Sequence, residues 1–295
     1  MAAIKTIMLQ QLAIGLSGSL VIGGLAYVRR SLSRSGFVAA VVLGTLLYTF
    51  SNVVWYGSLI AFFISSTILS KVKHARKRAA EQHYEKGARR DASQVAANGA
   101  VPLLAAIGYI TMPHPMWWYV CLGSLAAVNA DTWATELGAL SRSKPRSIRN
   151  GRRVEPGTSG GVSLLGLIAS WMGGCFIGLS ASVLSWTFGV GTELGDVSGF
   201  TDSLHMPIAD LGMALSWILI GGVSGLLASL FDSWLGASIQ AVYRCPVCGR
   251  LIEKDEHCAV PSERVRGWRL MRNDQVNAAA SLCGAVIAVI LGISG

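Results

Sequence analysis

Residues 129–166 read NADTWATELGALSRSKPRSIRNGRRVEPGTSGGVSLLG. Asp131 and Glu136 stand inside an apolar run, a basic loop follows, and a Gly/Thr/Ser turn opens a second apolar run. An acid at the centre of a bilayer costs roughly 2.5–3.5 kcal/mol, and less toward its surface, so acids placed this way mark function. Acids, then cations, then a glycine-rich helix start are the parts needed to hold a phosphorylated ligand and a metal at a membrane face.

The rest of the chain has the composition of a membrane scaffold. Of its 295 residues 52% are hydrophobic and 14% charged, with mean hydropathy +0.49. Soluble domains are closer to a quarter charged. The 34 glycines suit helices that must approach closely in lipid. The net charge of +9 lies in loops between apolar runs, which makes it a topology signal rather than a nucleic-acid footprint. No small-residue cleavage site precedes Arg29, so the first run reads as a span and not as a cleaved leader.

Apolar runs at residues 7–28, 37–50, 53–70, 98–112, 115–140, 161–186, 208–242 and 276–293 predict about eight spans. The segments 29–34, 71–90, 142–153 and 244–272 are basic, whereas the turns near Ser51 and Met112 and the loop 189–207 are not. The alternation predicts both termini outside and the basic loops in the cytoplasm, in the plasma membrane. The expected fold is an all-α polytopic helical bundle forming one transmembrane domain over 1–295, with residues 244–272 inserted as a small cytoplasmic Cys/His loop.

On this map the polar residues gather at one side. Asn129, Asp131 and Glu136 approach the cytoplasmic end of the fifth span; Asp232, Ser233 and Gln240 that of the seventh; Asn273, Asp274 and Asn277 open the eighth. Asp131, Glu136, Asp232 and Asp274 are hard oxygen ligands suited to Mg²⁺, which keeps one or two protein carboxylates plus phosphates and waters. Glu155 precedes the turn Gly157, Thr158, Ser159, Gly160, Gly161, whose backbone can approach an anion and whose hydroxyls can cap the sixth helix. It is no Walker loop, since no Gly-Lys-Ser/Thr follows. Lys144, Arg146 and Arg153, with Arg149 and Arg152, are cations available to phosphates, or simply retain the loop in the cytoplasm.

Of six cysteines, Cys121, Cys175 and Cys283 lie in apolar runs and read as packing residues. Cys245 and Cys248, spaced as Cys-x2-Cys, and the later His257-Cys258 pair supply four ligands for a structural Zn²⁺.

Four stretches in order, NADTWATELG, KP before RVEPGTSGGVSLLG, SLFDSWLGASIQ and NDQVN, resemble the transmembrane family with domain of unknown function 92. That family includes plant phytyl-phosphate kinase and transmembrane protein 19. The pattern is more loosely similar to dolichol kinase and to the CTP-dependent cytidylyltransferases of lipid synthesis, phosphatidate cytidylyltransferase among them. The resemblance implies a Mg²⁺-dependent kinase that moves the γ-phosphoryl of CTP or another nucleoside triphosphate to an isoprenoid (prenyl- or phytyl-like) monophosphate. A membrane cytidylyltransferase releasing pyrophosphate and an anion or lipid transporter are the alternatives. The Cys/His segment is not needed by the kinase chemistry.

Overall fold

A computed structural model describes residues 2–72, 89–189 and 209–294. The basic segment beyond Lys71 and the loop expected at 189–207 fall largely outside the described residues. Eight helices appear among the described residues: α1 Ala2–Val28, α2 Arg34–Phe50, α3 Val53–Lys71, α4 Ala92–Thr111, α5 Met116–Gly138, α6 Leu164–Phe188, α7 Ala209–Ser238 and α8 Asn273–Ser294. Six of them, all but α2 and α5, are long and apolar enough to cross a membrane.

Local chemistry sets the boundaries. Asn52 caps α3 by accepting the Val54 N–H, which turns the chain directly after α2. Helix α4 begins at Ala92 rather than near 98, because Asp91 and Gln94 form a capping box. Helix α7 stops at Ser238 rather than running to 242, since Val242–Arg244 pairs as a strand. Helix α6 starts at Leu164, with Ser163 Oγ accepting the Gly166 N–H at 3.1 Å. The glycine turn therefore precedes the helix and does not open it, and neither Thr158 nor Ser159 is its cap.

Helix α5 sits at the centre of the bundle, packed on α3, α4, α6, α7 and α8. Every residue from Cys121 to Ala130 is buried. The approach is close because the contacts are small: an added methyl at Gly123 would run into the Gly284 carbonyl of α8. Likewise Gly174 of α6 abuts Gly221 of α7. At the start of α5 an aromatic group pins the bundle, with Trp118 centred 5.6 Å from Trp55 and 5.1 Å from Trp217.

Short strands decorate the other end. In the basic loop β1, Arg146–Ser147, pairs antiparallel with β2, Gly161–Val162. After α7, β3 (Val242–Arg244) lies between β4 (Leu251–Ile252) and β7 (Glu263–Arg266), and β5 (Glu256–His257) pairs with β6 (Val260–Pro261). The segment 244–272, read from sequence as a loop, is thus a small β unit.

Candidate functional site

The ends of α3, α5 and α7 and the starts of α4, α6 and α8 meet at the end of the bundle that carries the basic loop. Between them lies a cavity of about 430 Å³. The alternation of chain direction brings these ends to one face, and many of the side chains that line the space are polar.

Of the acids singled out in the sequence, Asp131, Glu136 and Asp232 line this cavity, as do Gly157, Thr158, Ser159, Gly160, Gly161, Ser233, Gln240 and Asn273. Gly160 has φ +79°, and a side chain there would strike Ala237 and the Ser233 carbonyl of α7. The turn is held directly against α7, which carries Asp232. Asp232 is within electrostatic reach of Asp131 and of Glu253, and Asp131 of Glu253. Its Oδ2 is buried and has no hydrogen-bond partner among the described residues. Gln240, 3% exposed, likewise leaves Nε2 without a partner among the described residues. Three carboxylates in one cavity repel when ionised, and a divalent cation would offset them. The donors are hard oxygens, the set that Mg²⁺ selects.

Glu136 is differently placed. It accepts the Ser70 hydroxyl at 2.5 Å and faces the Arg90 guanidinium, so its charge is already met by the protein.

The cations expected at the phosphates are not the ones that line the cavity. Lys144 is exposed and pairs with exposed Glu155 at 2.5 Å. Exposed Arg146 donates to the Gly151 carbonyl at 3.0 Å, and Arg153 bridges back to Arg146 through its backbone. The loop satisfies its own backbone through the β1–β2 pairing, which holds these side chains outward. Arg90 and Lys254 line the cavity instead. Arg90 lies over the rings of Phe62 and Phe63, 5.6 and 5.4 Å from their centroids, and donates to Thr67 Oγ1. Burial lowers its guanidinium to about 10 while the Glu136 carboxylate pulls the other way, so it stays cationic at neutral pH.

Three further expected residues lie elsewhere. Asn129 is fully buried, accepts from Ser65 at 2.9 Å and donates to the Gly173 carbonyl at 2.7 Å, a link among α3, α5 and α6. Asp274 is buried in the first turn of α8, and neither it nor Asn277 borders the cavity. Their neighbour Asn273 does.

Sequence reasoning missed Arg90, Gln94, Ser70, Glu253 and Lys254 as cavity residues. Arg90 is one cation in a run of many, and its packing over Phe62 and Phe63 distinguishes it. Glu253 comes from the Cys/His segment, which the expected chemistry did not require. Ser159 Oγ donates to Glu253 Oε1 at 2.5 Å, tying that segment to the glycine turn.

A second, apolar cleft of about 60 Å³ lies among α1, α2, α3 and α4, lined by Ile22, Leu43, Leu59, Ile60, Phe62 and Phe63 among others. Arg90 and Gln94 border both this cleft and the polar cavity.

The four Cys/His side chains singled out in the sequence lie together. One ligand atom from each of Cys245, Cys248, His257 and Cys258 lies within 4.8 Å of every other.

The profile described as "Integral membrane protein DUF92" matches residues 17–285. The chain belongs to the DUF92 family. This DUF92 protein is 29% identical to Protein PGR of Arabidopsis thaliana, over 91% of each chain. It is 27% identical to an uncharacterized membrane protein of Methanocaldococcus jannaschii, over 89% of this chain and 86% of that one. A further uncharacterized membrane protein, from Synechocystis, is 22% identical over 88% and 83%. No solved structure matches the DUF92 chain.

Proposed function

We propose that the protein is an integral-membrane phosphotransferase that moves the γ-phosphoryl group of CTP or another nucleoside triphosphate to an isoprenoid monophosphate, forming the diphosphate. One observation carries this reading. Acids from α5 and α7, the glycine turn and half-buried Arg90 share a cavity that adjoins an apolar cleft at Arg90 and Gln94.

The parts have distinct roles. Asp131 and Asp232, with Glu253 nearby, would hold Mg²⁺, which supplies charge neutralisation for the triphosphate. Arg90 meets the acceptor phosphate where the cleft begins, and the cleft seats the first part of the tail. Lys254 and the backbone of residues 157–161 border the space left for the nucleotide phosphates. A phosphate oxygen of the acceptor attacks the γ-phosphorus, the β–γ bridging P–O bond breaks, and the nucleoside diphosphate leaves. The acceptor is already anionic, so no general base is required, and among the described residues no histidine lines the cavity. The loop face is the cytoplasmic one on this reading, because the basic loop 142–153 lies there. A site at the helix ends fits a soluble nucleotide better than it fits transport, whose sites lie near the midplane.

The test is incubation of purified protein with Mg²⁺, a nucleotide panel and prenyl monophosphates of several lengths, with products identified by mass. A prenyl diphosphate with an equal yield of nucleoside diphosphate is expected. Release of pyrophosphate with a cytidylyl-lipid product would replace the kinase by a cytidylyltransferase, and no turnover of any pair would sink the reading.

A further inference from the structure

The β unit at 242–266 has too little core to hold itself together. Its buried cluster is Ala241, Tyr243, Cys245 and Ile252, with Val260 packed against it. Units of this size need a staple. Its cysteines are all free, so no disulfide provides one.

The chain path supplies a different staple. Gly249, at φ +70°, closes a tight knuckle in which Gly249 N–H donates to the Cys245 carbonyl at 2.9 Å and Cys245 N–H to the Arg250 carbonyl at 3.0 Å. The knuckle presents Cys245 and Cys248 to one side. The β5–β6 hairpin turns through Cys258 and Ala259, both left-handed at φ 54° and 58°. A two-residue turn of this kind normally takes Asn-Gly or a similar pair. Here two residues without that freedom hold it, and the turn brings Cys258 Sγ to 3.2 Å from His257 Nδ1. Cys248 Sγ lies 3.4 Å from the same nitrogen. With Zn–S of about 2.3 Å and Zn–N of about 2.0 Å, a tetrahedral S···N edge is roughly 3.5 Å. Strained backbone that converges three thiols and an imidazole at this spacing is the mark of a metal position.

We propose that Cys245, Cys248, His257 and Cys258 hold one Zn²⁺ in a closed structural site, and that the metal fixes Glu253 and Lys254 at the wall of the cavity. The second half rests on the proposed function only for its meaning, not for its geometry. Strand β4 leaves the knuckle and delivers Glu253 and Lys254 one and two residues later. The hairpin that carries His257 and Cys258 starts just beyond them. The pair thus lies between the two halves of the ligand set, and ordering the metal orders both of its flanks. At its far end the unit is tied to α7 by Arg266, which donates to the Gly236 carbonyl at 2.8 Å.

The experiment uses the full chain purified in detergent without added metal. Elemental analysis is expected to find one zinc per chain, and Co²⁺ exchange to give the visible bands of a tetrahedral thiolate site. Cys248→Ser and His257→Ala should each lose the metal. Limited proteolysis reports the positional half. The wild-type protein stripped by chelator should be cut within 244–272 about tenfold faster or more, with zinc restoring protection. Absence of zinc, together with no tetrahedral cobalt spectrum, overturns the site. A stripped chain that keeps full protection overturns the positioning role. Neither readout needs turnover, so an inactive but zinc-loaded protein would remove the kinase reading and leave this one standing.

Discussion

Asp232 carries an oxygen that is buried beside two other acids and has no partner among the described residues. Without a cation that arrangement destabilises the fold; with one it becomes a ligand set. Asp232→Asn is therefore expected to act in opposite directions on two measurements. In EDTA the thermal midpoint should rise, because a repelling charge is gone. In Mg²⁺ phosphoryl transfer should fall by about 10²–10³, the usual scale for loss of an electrostatic group at a reacting centre. Arg90 and Lys144 make a second contrast. Arg90 is half-buried over two phenylalanine rings, whereas Lys144 is exposed and paired with exposed Glu155. Arg90→Lys keeps a charge but loses the planar stack, and should raise the KM for the lipid phosphate about tenfold or more. Lys144→Ala should leave kcat/KM within about threefold of wild type, since a surface ion pair is worth little.

At the scale of the element, the glycine turn and the helix after it do separate jobs. Ser163 caps α6, and Ser163→Ala should cost about 1 kcal/mol of stability, read as a lower melting temperature. Residues 157–161 position the cavity wall. Gly160→Ala meets both a left-handed φ and the side chain of Ala237, so the turn must move off α7. Phosphoryl transfer should drop by about tenfold or more, while helicity by circular dichroism stays unchanged because α6 keeps its own cap. A Gly160→Ala protein with full activity would show that the turn has no part in the site. The β unit belongs to this scale too: it makes the strand that ends α7 early, and it hands Glu253 to the turn through Ser159.

Across the whole molecule, the up-and-down order of helices puts residues 131–139, 157–163, 229–240 and 273 at one end and the Trp118 cluster at the other. An added cysteine at Arg149 and another at Lys254 should therefore react with an impermeant thiol reagent from the same side of a sealed vesicle. One at His114 should react from the opposite side. Labelling of Arg149 and Lys254 from different sides would take the cavity apart.

The helices and their order were legible in the sequence because lipid forces each span to be long and apolar, and because acids in such runs stand out. The turn 157–161 and the Cys/His group are legible from residue type and spacing, and Asp131, Glu136, Asp232 and Gln240 as polar groups at the ends of apolar runs. Asn129 was read by the same rule, but its amide is spent between helices, and nothing local to its stretch reveals that Ser65 and the Gly173 carbonyl are waiting for it. The basic loop was legible as charge but not as direction: the β1–β2 pairing that turns Lys144, Arg146 and Arg153 outward is made by backbone contacts far apart in the chain. What the chain order determined alone is a helical membrane protein with polar ends gathered on one face, since burial in lipid acts on each segment separately. Only the packing decided which cation enters the cavity and that Glu253 joins the acids, because those facts depend on what lies across from each side chain.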